Sequence, residues 1–184
     1  MLKTPLLTGK QIYLKALMQT DVTDEYVQWL NDSSINQFLE SRYQTQTAAS
    51  CRHFVGELQS QNNNCFWGIY CNQSKQHIGN IKLGPVNKLY QRATIGLLIG
   101  NKSYWGKGIA TEAINLVSDF AFQKLSLHKI DAGCYVSNQG SKKAFLKAGY
   151  QVEGLLKDHF FYQNKFEHCV LLGKICENSQ KDTQ

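Results

Sequence analysis

The sequence predicts a mixed α+β domain, with a sheet of about seven strands that is mostly antiparallel, contains one parallel crossover and is flanked by helices. Three observations carry that expectation. Apolar runs of strand length recur between polar turn segments. A helical pattern at residues 108–124 lies between two such runs, at 93–99 and 130–136, which is the order of a strand-helix-strand crossover. No internal repeat or linker divides the 184 residues, so a single domain is expected over 1–176, followed by a polar tail over 177–184.

Taken in chain order, Gln11 to Ala16 reads as the first strand, and Asp21 is placed to cap a helix carrying Val22, Tyr26, Trp29 and Leu30. A second helix fits Ala48 to Leu58. Ser60 to Asn64 is a loop by composition, Cys65 to Tyr70 a strand, Asn72 to Lys75 a hairpin turn and His77 to Leu83 the returning strand. Ala93 to Ile99 lacks alternation, which predicts burial on both faces. Ile109, Ala113, Leu116, Val117 and Phe120 then recur at helical spacing. Ile130, Ala132, Cys134 and Val136 alternate with Asp131, Gly133 and Tyr135 as in a strand. Asn138 suits the cap of a short helix to Ala148, and Gly149 its end. Two final strands are expected at 150–156 and 169–174.

Composition bounds the function. Twenty basic against fourteen acidic side chains give a formal charge of +6, which favours anionic ligands. The basic residues are scattered, however, and that argues against nucleic acid as a partner. Six cysteines without a Cys-x-x-Cys pair read as buried free thiols, and five histidines lack metal-ligand spacing, so no metal is expected. There is no charged-then-apolar leader and no apolar run near the ~20 residues that cross a bilayer. The expectation is a soluble cytoplasmic protein with no membrane partner; a homodimer is compatible with the sequence and not demanded by it.

The segment Ser103 to Ala113 holds the strongest chemical signal. Its glycines let successive backbone N–H groups converge, and the following helix adds unpaired N–H groups and the positive end of its dipole, which suits a phosphate. It is neither Gly-x-x-x-x-Gly-Lys-Ser/Thr nor Gly-x-Gly-x-x-Gly, so the two common nucleotide loops are excluded.

Three stretches together, Ile95 to Ile99, Trp105 to Ala113, and Leu127 to Ile130 with Asn138 to Ser141 and Phe145 to Tyr150, resemble the GNAT superfamily of acetyl-CoA-dependent N-acetyltransferases. The resemblance spans roughly residues 8–175, and within the superfamily it is closest to the branch of ribosomal-protein alanine acetyltransferases and some amino-sugar acetyltransferases. It implies a GNAT-like fold, acetyl-CoA as co-substrate and an amine acceptor, either a protein or peptide N-terminus or an amino sugar. The family's Gln/Arg-x-x-Gly-x-Gly/Ala signature falls on Trp105, Gly106, Lys107, Gly108, Ile109 and Ala110, with Thr111 beside them; a Trp at the first position departs from the pattern. Leu97, Leu98 and Ile99 resemble the strand whose backbone edge receives the pantetheine arm. Asn138 and Ser141 match the family's Asn-x-x-Ser facing pantetheine and sulfur, with a plain capping role as the alternative for Asn138.

Two groups common in relatives are replaced. Phe145 stands where many carry a Tyr that protonates the departing thiolate, so Ser141 is the substitute acid. Thr94 stands where relatives often carry Glu. An amine of pKa near 10 must lose a proton before it attacks, and a water relay, Glu40, Glu112 or His159 could receive it. Helix-dipole stabilisation accounts for Glu112 without catalysis. The two replacements keep open a different class, a module that binds acetyl-CoA without turning it over. The lip at residues 29–43 and the aromatic segment at 158–166 are expected to face each other across the acceptor cleft, and the lip lacks an acidic cluster of the kind a polyamine requires.

Overall fold

The computed structural model describes residues 2–177. Eight strands form one sheet: β1 (Leu7–Thr8), β2 (Ile12–Ala16), β3 (Cys65–Cys71), β4 (His77–Leu83), β5 (Arg92–Ile99), β6 (Lys129–Tyr135), β7 (Gln151–Tyr162) and β8 (Lys165–Ile175). Their order is β1-β2-β3-β4-β5-β6-β8-β7, antiparallel throughout except for β5 against β6. This is the mixed sheet the sequence predicts, with the two-residue β1 added at one edge. Of the tail expected over 177–184, all but Glu177 lies outside the described residues.

Five helices flank the sheet: α1 (Asp24–Asn31), α2 (Ser33–Asn36), α3 (Ala48–Ser60), α4 (Ile109–Lys124) and α5 (Gln139–Lys147). Thr23, not Asp21, caps α1, its hydroxyl accepting the Tyr26 N–H. The Asp21 carboxylate is already occupied, accepting from the Met18 N–H and the Lys15 ammonium at the end of a 3-10 turn, Gln19–Asp21. Thr47 and Ser50 form a capping box on α3, and Asn138 caps α5.

Each sheet face buries a different helix set. Trp67, Ile69, Ile81, Leu83, Ala93 and Ile95 pack against Ile109, Ala113, Ile114, Val117 and Phe120 of α4 and against Phe145 of α5. On the other face Leu17, Val22, Tyr26, Trp29, Cys51 and Val55 form a smaller cluster beneath α1 and α3, with Phe66 against it. Strand β5 alternates, with Ala93 and Ile95 buried and Arg92, Thr94 and Gly96 exposed, so the expected burial on both faces does not hold. Arg92 and Thr94 are exposed even where β6 pairs alongside, so that face is open along the paired stretch too. The last two strands run longer than expected and join through Gln163 and Asn164, both in the left-handed region, as a two-residue hairpin turn requires.

Candidate active site

The site begins with a failure of strand pairing. Strand β6 pairs with β8 along its whole length, from Lys129 to Tyr135, yet it meets β5 only where Arg92, Ala93 and Thr94 face Lys129, Ile130 and Asp131. Beyond Thr94 the two parallel strands splay, and a cleft of about 990 Å³ opens between Gly96–Ile99 on one side and Gly133–Tyr135 on the other. The main-chain directions along β5 follow from two bonds. Thr94 C=O accepts from the Gly84 N–H and Gly100 N–H donates to Ile78 C=O, so even-numbered residues direct their main-chain groups at β4. Alternation then aims those of Leu97 and Ile99 into the splay, where no strand stands opposite. Ile99 C=O is used, accepting the Trp105 indole N–H at 2.8 Å. The Leu97 N–H remains available.

At one end of the cleft lies the glycine turn. Gly106 and Gly108 have φ of +74° and +82°, and a Cβ added to either would meet nothing within 4 Å, so both face open space in a conformation other residues rarely adopt. From Gly106 to Thr111, six successive N–H groups find no acceptor among the described residues; the first bond of α4 is Glu112 N–H to Gly108 C=O. The cradle therefore fits an anionic diphosphate, with main-chain donors and helix dipole pointing the same way. Trp105 and Ala110 line the cleft beside Gly106, while the Ile109 side chain is buried in the core and the Thr111 hydroxyl contacts Ala144 C=O at 3.4 Å. Lys107 is exposed, its carbonyl contacting Gln11.

Asn138 and Ser141 both line the cleft. Asn138 caps α5, its Oδ1 accepting the Ser141 N–H at 3.1 Å. Burial and then the neighbouring Cys169 push the Cys134 thiol, beside Ser141, up to about 11. Phe145 is buried against Tyr150, without a phenol to offer.

Across the sheet, the acceptor wall is built from side chains far apart in sequence. Tyr135, at the end of β6, stacks on Phe160 of β7 with ring centroids 3.7 Å apart and donates its hydroxyl to Glu40 Oε1 at 2.5 Å. Burial, and then the Glu40 carboxylate, push the Tyr135 hydroxyl well above the ordinary phenol range, so it stays a donor. Arg42 reaches the same Glu40 oxygen at 3.5 Å, lies over the Tyr43 and Tyr135 rings and donates to Leu39 C=O and Phe161 C=O. Tyr43 OH also donates to Phe161 C=O, at 2.6 Å. The strap at residues 39–43 is thereby fastened to the β7–β8 hairpin, with Glu40 held at the cleft and its side chain 67% exposed.

Two of the proton acceptors considered from sequence are elsewhere. His159 is exposed on β7, edge-on to Phe160, and does not line the cleft, because its neighbour Phe160 takes the inward position. Glu112 accepts from the Gln11 N–H and side-chain amide, fastening α4 to the start of β2. Tyr135 and Arg42 carried no motif that would single them out; the Glu40–Tyr135 contact closes 95 residues of chain. Among the described residues, no three His, Cys, Asp or Glu side chains are grouped to hold a metal ion, and no helix is long and apolar enough to cross a membrane.

Comparison with known proteins agrees with this geometry. A family model described as "Acetyltransferase (GNAT) domain" matches residues 11–151. The "Probable N-acetyltransferase YjcK" of Bacillus subtilis (strain 168) is 34% identical over 173 residues, covering 90% of this chain and 95% of that protein. Spermidine N(1)-acetyltransferase of Escherichia coli (strain K12) is 32% identical over 96 residues, half of this chain and 51% of its own. The crystal structure of spermidine N-acetyltransferase from Vibrio cholerae in complex with CoA and spermine superposes with a TM-score of 0.80 at 23% identity, covering 90% of this chain and 95% of that one, a likeness of fold.

Proposed function

Because the chain belongs to the GNAT acetyltransferase family and is an N-acetyltransferase, we propose that it moves an acetyl group from acetyl-CoA to a primary amine by direct attack in a ternary complex formed in the β5–β6 cleft. The carrying observation is the run of unpaired N–H groups from Gly106 to Thr111 at the mouth of a cleft whose strand edge is open from Leu97. In this reading, residues 106–111 hold the diphosphate, and the edge at Leu97–Ile99 with the start of α5 at Asn138 and Ser141 holds the pantetheine arm. When bound, the co-substrate supplies a thioester whose thiol, of pKa about 8.5, leaves readily.

The chain's residues do the rest. Glu40, oriented by Tyr135 and Arg42, pairs with the incoming ammonium and receives its proton directly or through water, since an ammonium, of pKa about 8 at a chain N-terminus, has no lone pair to attack with. The Leu97 N–H is the donor for the carbonyl oxygen that gains charge, and it is in place before reaction. Ser141 serves as the proton source on the thiol side. Positioning both reactants in one cleft supplies a large part of the rate, and no covalent enzyme intermediate is required.

For the acceptor, we propose a protein or peptide N-terminal amine, as in the ribosomal-protein alanine acetyltransferases that the sequence resembles. The open, largely apolar cleft supports it, and so does a lining that, among the described residues, has a single carboxylate, Glu40, too few for a polycation. An amino-sugar acceptor is the second reading, favoured by Lys82, the one basic residue in the lining among the described residues. Thiol release measured over a panel of amines tests the proposal. Turnover of N-terminal peptides supports it; binding of acetyl-CoA with no release from any amine replaces it with the binding module.

A further inference from the structure

Strand β4 carries a feature that acetyl transfer as such does not use. Asn80 and Lys82 are two apart, so they share the sheet face that looks toward α1–α3, and both line the cleft. Lys82 stands opposite Phe66 on one side and Gly96 on the other. Gly96 offers no side chain, and a Cβ there would meet nothing within 4 Å, so the space beside the Lys82 stem is open. Lys82 has neither an ion-pair partner nor a hydrogen-bond acceptor among the described residues. Position 94 on that face is Thr, not an acidic residue, and its β6 partner Asp131 is engaged by Lys129 at 3.4 Å.

Asn80 is 5% exposed, and its orientation is fixed from behind. His77 Nε2 lies 2.9 Å from both Gly79 C=O and Asn80 Oδ1; two acceptors on one ring nitrogen require that nitrogen to carry the proton. The ring is stacked between Tyr26 and Tyr70, and burial lowers its pKa, keeping it neutral. With the Asn80 oxygen turned to His77, its Nδ2 is left without an acceptor among the described residues. An ammonium and an amide donor, each without a partner among the described residues, thus share one wall of the cleft, and Glu40 occupies the lip.

We propose that Lys82 and Asn80 form an anion-holding subsite for the acceptor, so that the preferred substrate is a primary amine that also carries a carboxylate or phosphate. This rests on the acetyl-transfer reading above and narrows its substrate class. Two charge-assisted bonds to an anion on one wall, with the ammonium directed to Glu40 on the other, orient a zwitterionic acceptor, whereas a polyamine would bring cationic nitrogen to Lys82.

The test is initial-rate thiol release at saturating acetyl-CoA with matched acceptors: glucosamine 6-phosphate against glucosamine, a tripeptide with a free C-terminal carboxylate against its amide, and spermidine as polycation. In at least one pair the anionic member is expected to exceed its partner about tenfold in kcat/KM. Lys82→Gln should bring that ratio to about 1, and Asn80→Asp should lower it too, while Lys88→Gln, on an exposed loop, retains it. The two pairs separate phosphate from carboxylate. Release from neutral amines with no anion preference, fastest turnover of spermidine, or a ratio unmoved by Lys82→Gln overturns the subsite and leaves acetyl transfer standing; no release from any acceptor overturns both.

Discussion

The two halves of the cleft are made of different material. On the side proposed for the co-substrate the groups facing the cleft are main-chain N–H groups, from Gly106 to Thr111 and along β5 from Leu97, and the glycines there matter for what they lack. On the side proposed for the acceptor they are side chains, Glu40, Tyr135, Asn80 and Lys82, drawn from the lip, β4 and β6, with Arg42 behind Glu40. A main-chain site tolerates changes of side chain and fails when its backbone conformation is denied. A side-chain site behaves in the opposite way, and its specificity can drift while the co-substrate grip stays fixed.

Gly108→Asp is the most damaging way to probe the first half. Its φ of +82° costs an L-residue about 1–2 kcal/mol, and a carboxylate would enter the space proposed for the diphosphate. The dissociation constant for acetyl-CoA, measured by calorimetry, should rise about a hundredfold or more, roughly 2.7 kcal/mol. Near-wild-type affinity in a folded variant would show that the diphosphate is held elsewhere.

Glu40→Gln probes the second half. The amide keeps an acceptor for the Tyr135 hydroxyl but carries no charge for an ammonium and is no base, so kcat/KM for the amine should fall about 10- to 100-fold. The acetyl-CoA dissociation constant should stay within about twofold, because nothing in the Gly106–Thr111 cradle depends on Glu40. Equal losses on both measures would erase the distinction between the halves.

The same distinction explains what could be read in advance. Residues 109–124 announce a helix through local periodicity, Asn138 a cap through its chemistry, and Gly106 and Gly108 a tight turn through composition; each signal lies within a few residues of its cause. The Asn138 cap and the co-substrate turn are of that kind. Glu40 meeting Tyr135 is not, since the contact depends on where β6 ends and where the lip crosses it. The open edge of β5 is hidden for a related reason. Leu97, Leu98 and Ile99 read as part of a strand buried on both sides, and the departure of β6 after Asp131 leaves the strand edge there facing a cleft. His159, within an aromatic segment, gave no sign of facing outward, because the register of β7 shifts between Leu156 and Phe160.

Titration separates the halves as well, since among the described residues the acceptor side rests on a partly buried histidine, His77. Burial lowers the His77 pKa below the usual 6.5, so the folded state binds a proton less readily than the unfolded chain does. Its contribution to stability is therefore complete above the unfolded pKa and is lost as pH falls from about 6.5 toward the folded value, at no more than about 1.4 kcal/mol per pH unit. Urea midpoints should decline from pH 7 to 5.5 in the wild type and less steeply in His77→Gln. Parallel slopes would mean that another group dominates that window.

The smallest effect is expected at Trp105, where the family pattern has Gln or Arg. Its indole N–H donates to Ile99 C=O at 2.8 Å, closing the end of β5 onto the turn, and its side chain is 45% exposed. Trp105→Phe keeps an aromatic ring and removes one neutral hydrogen bond, worth about 0.5–1.5 kcal/mol, so acetyl-CoA affinity should weaken roughly two- to tenfold. If the grip belongs to main-chain donors, no side chain at this position can be decisive, and Trp105→Gln should cost about as much as Trp105→Phe. A loss near that of Gly108→Asp would instead place Trp105 itself on the ligand, and the co-substrate half would then be built, like the acceptor half, from side chains.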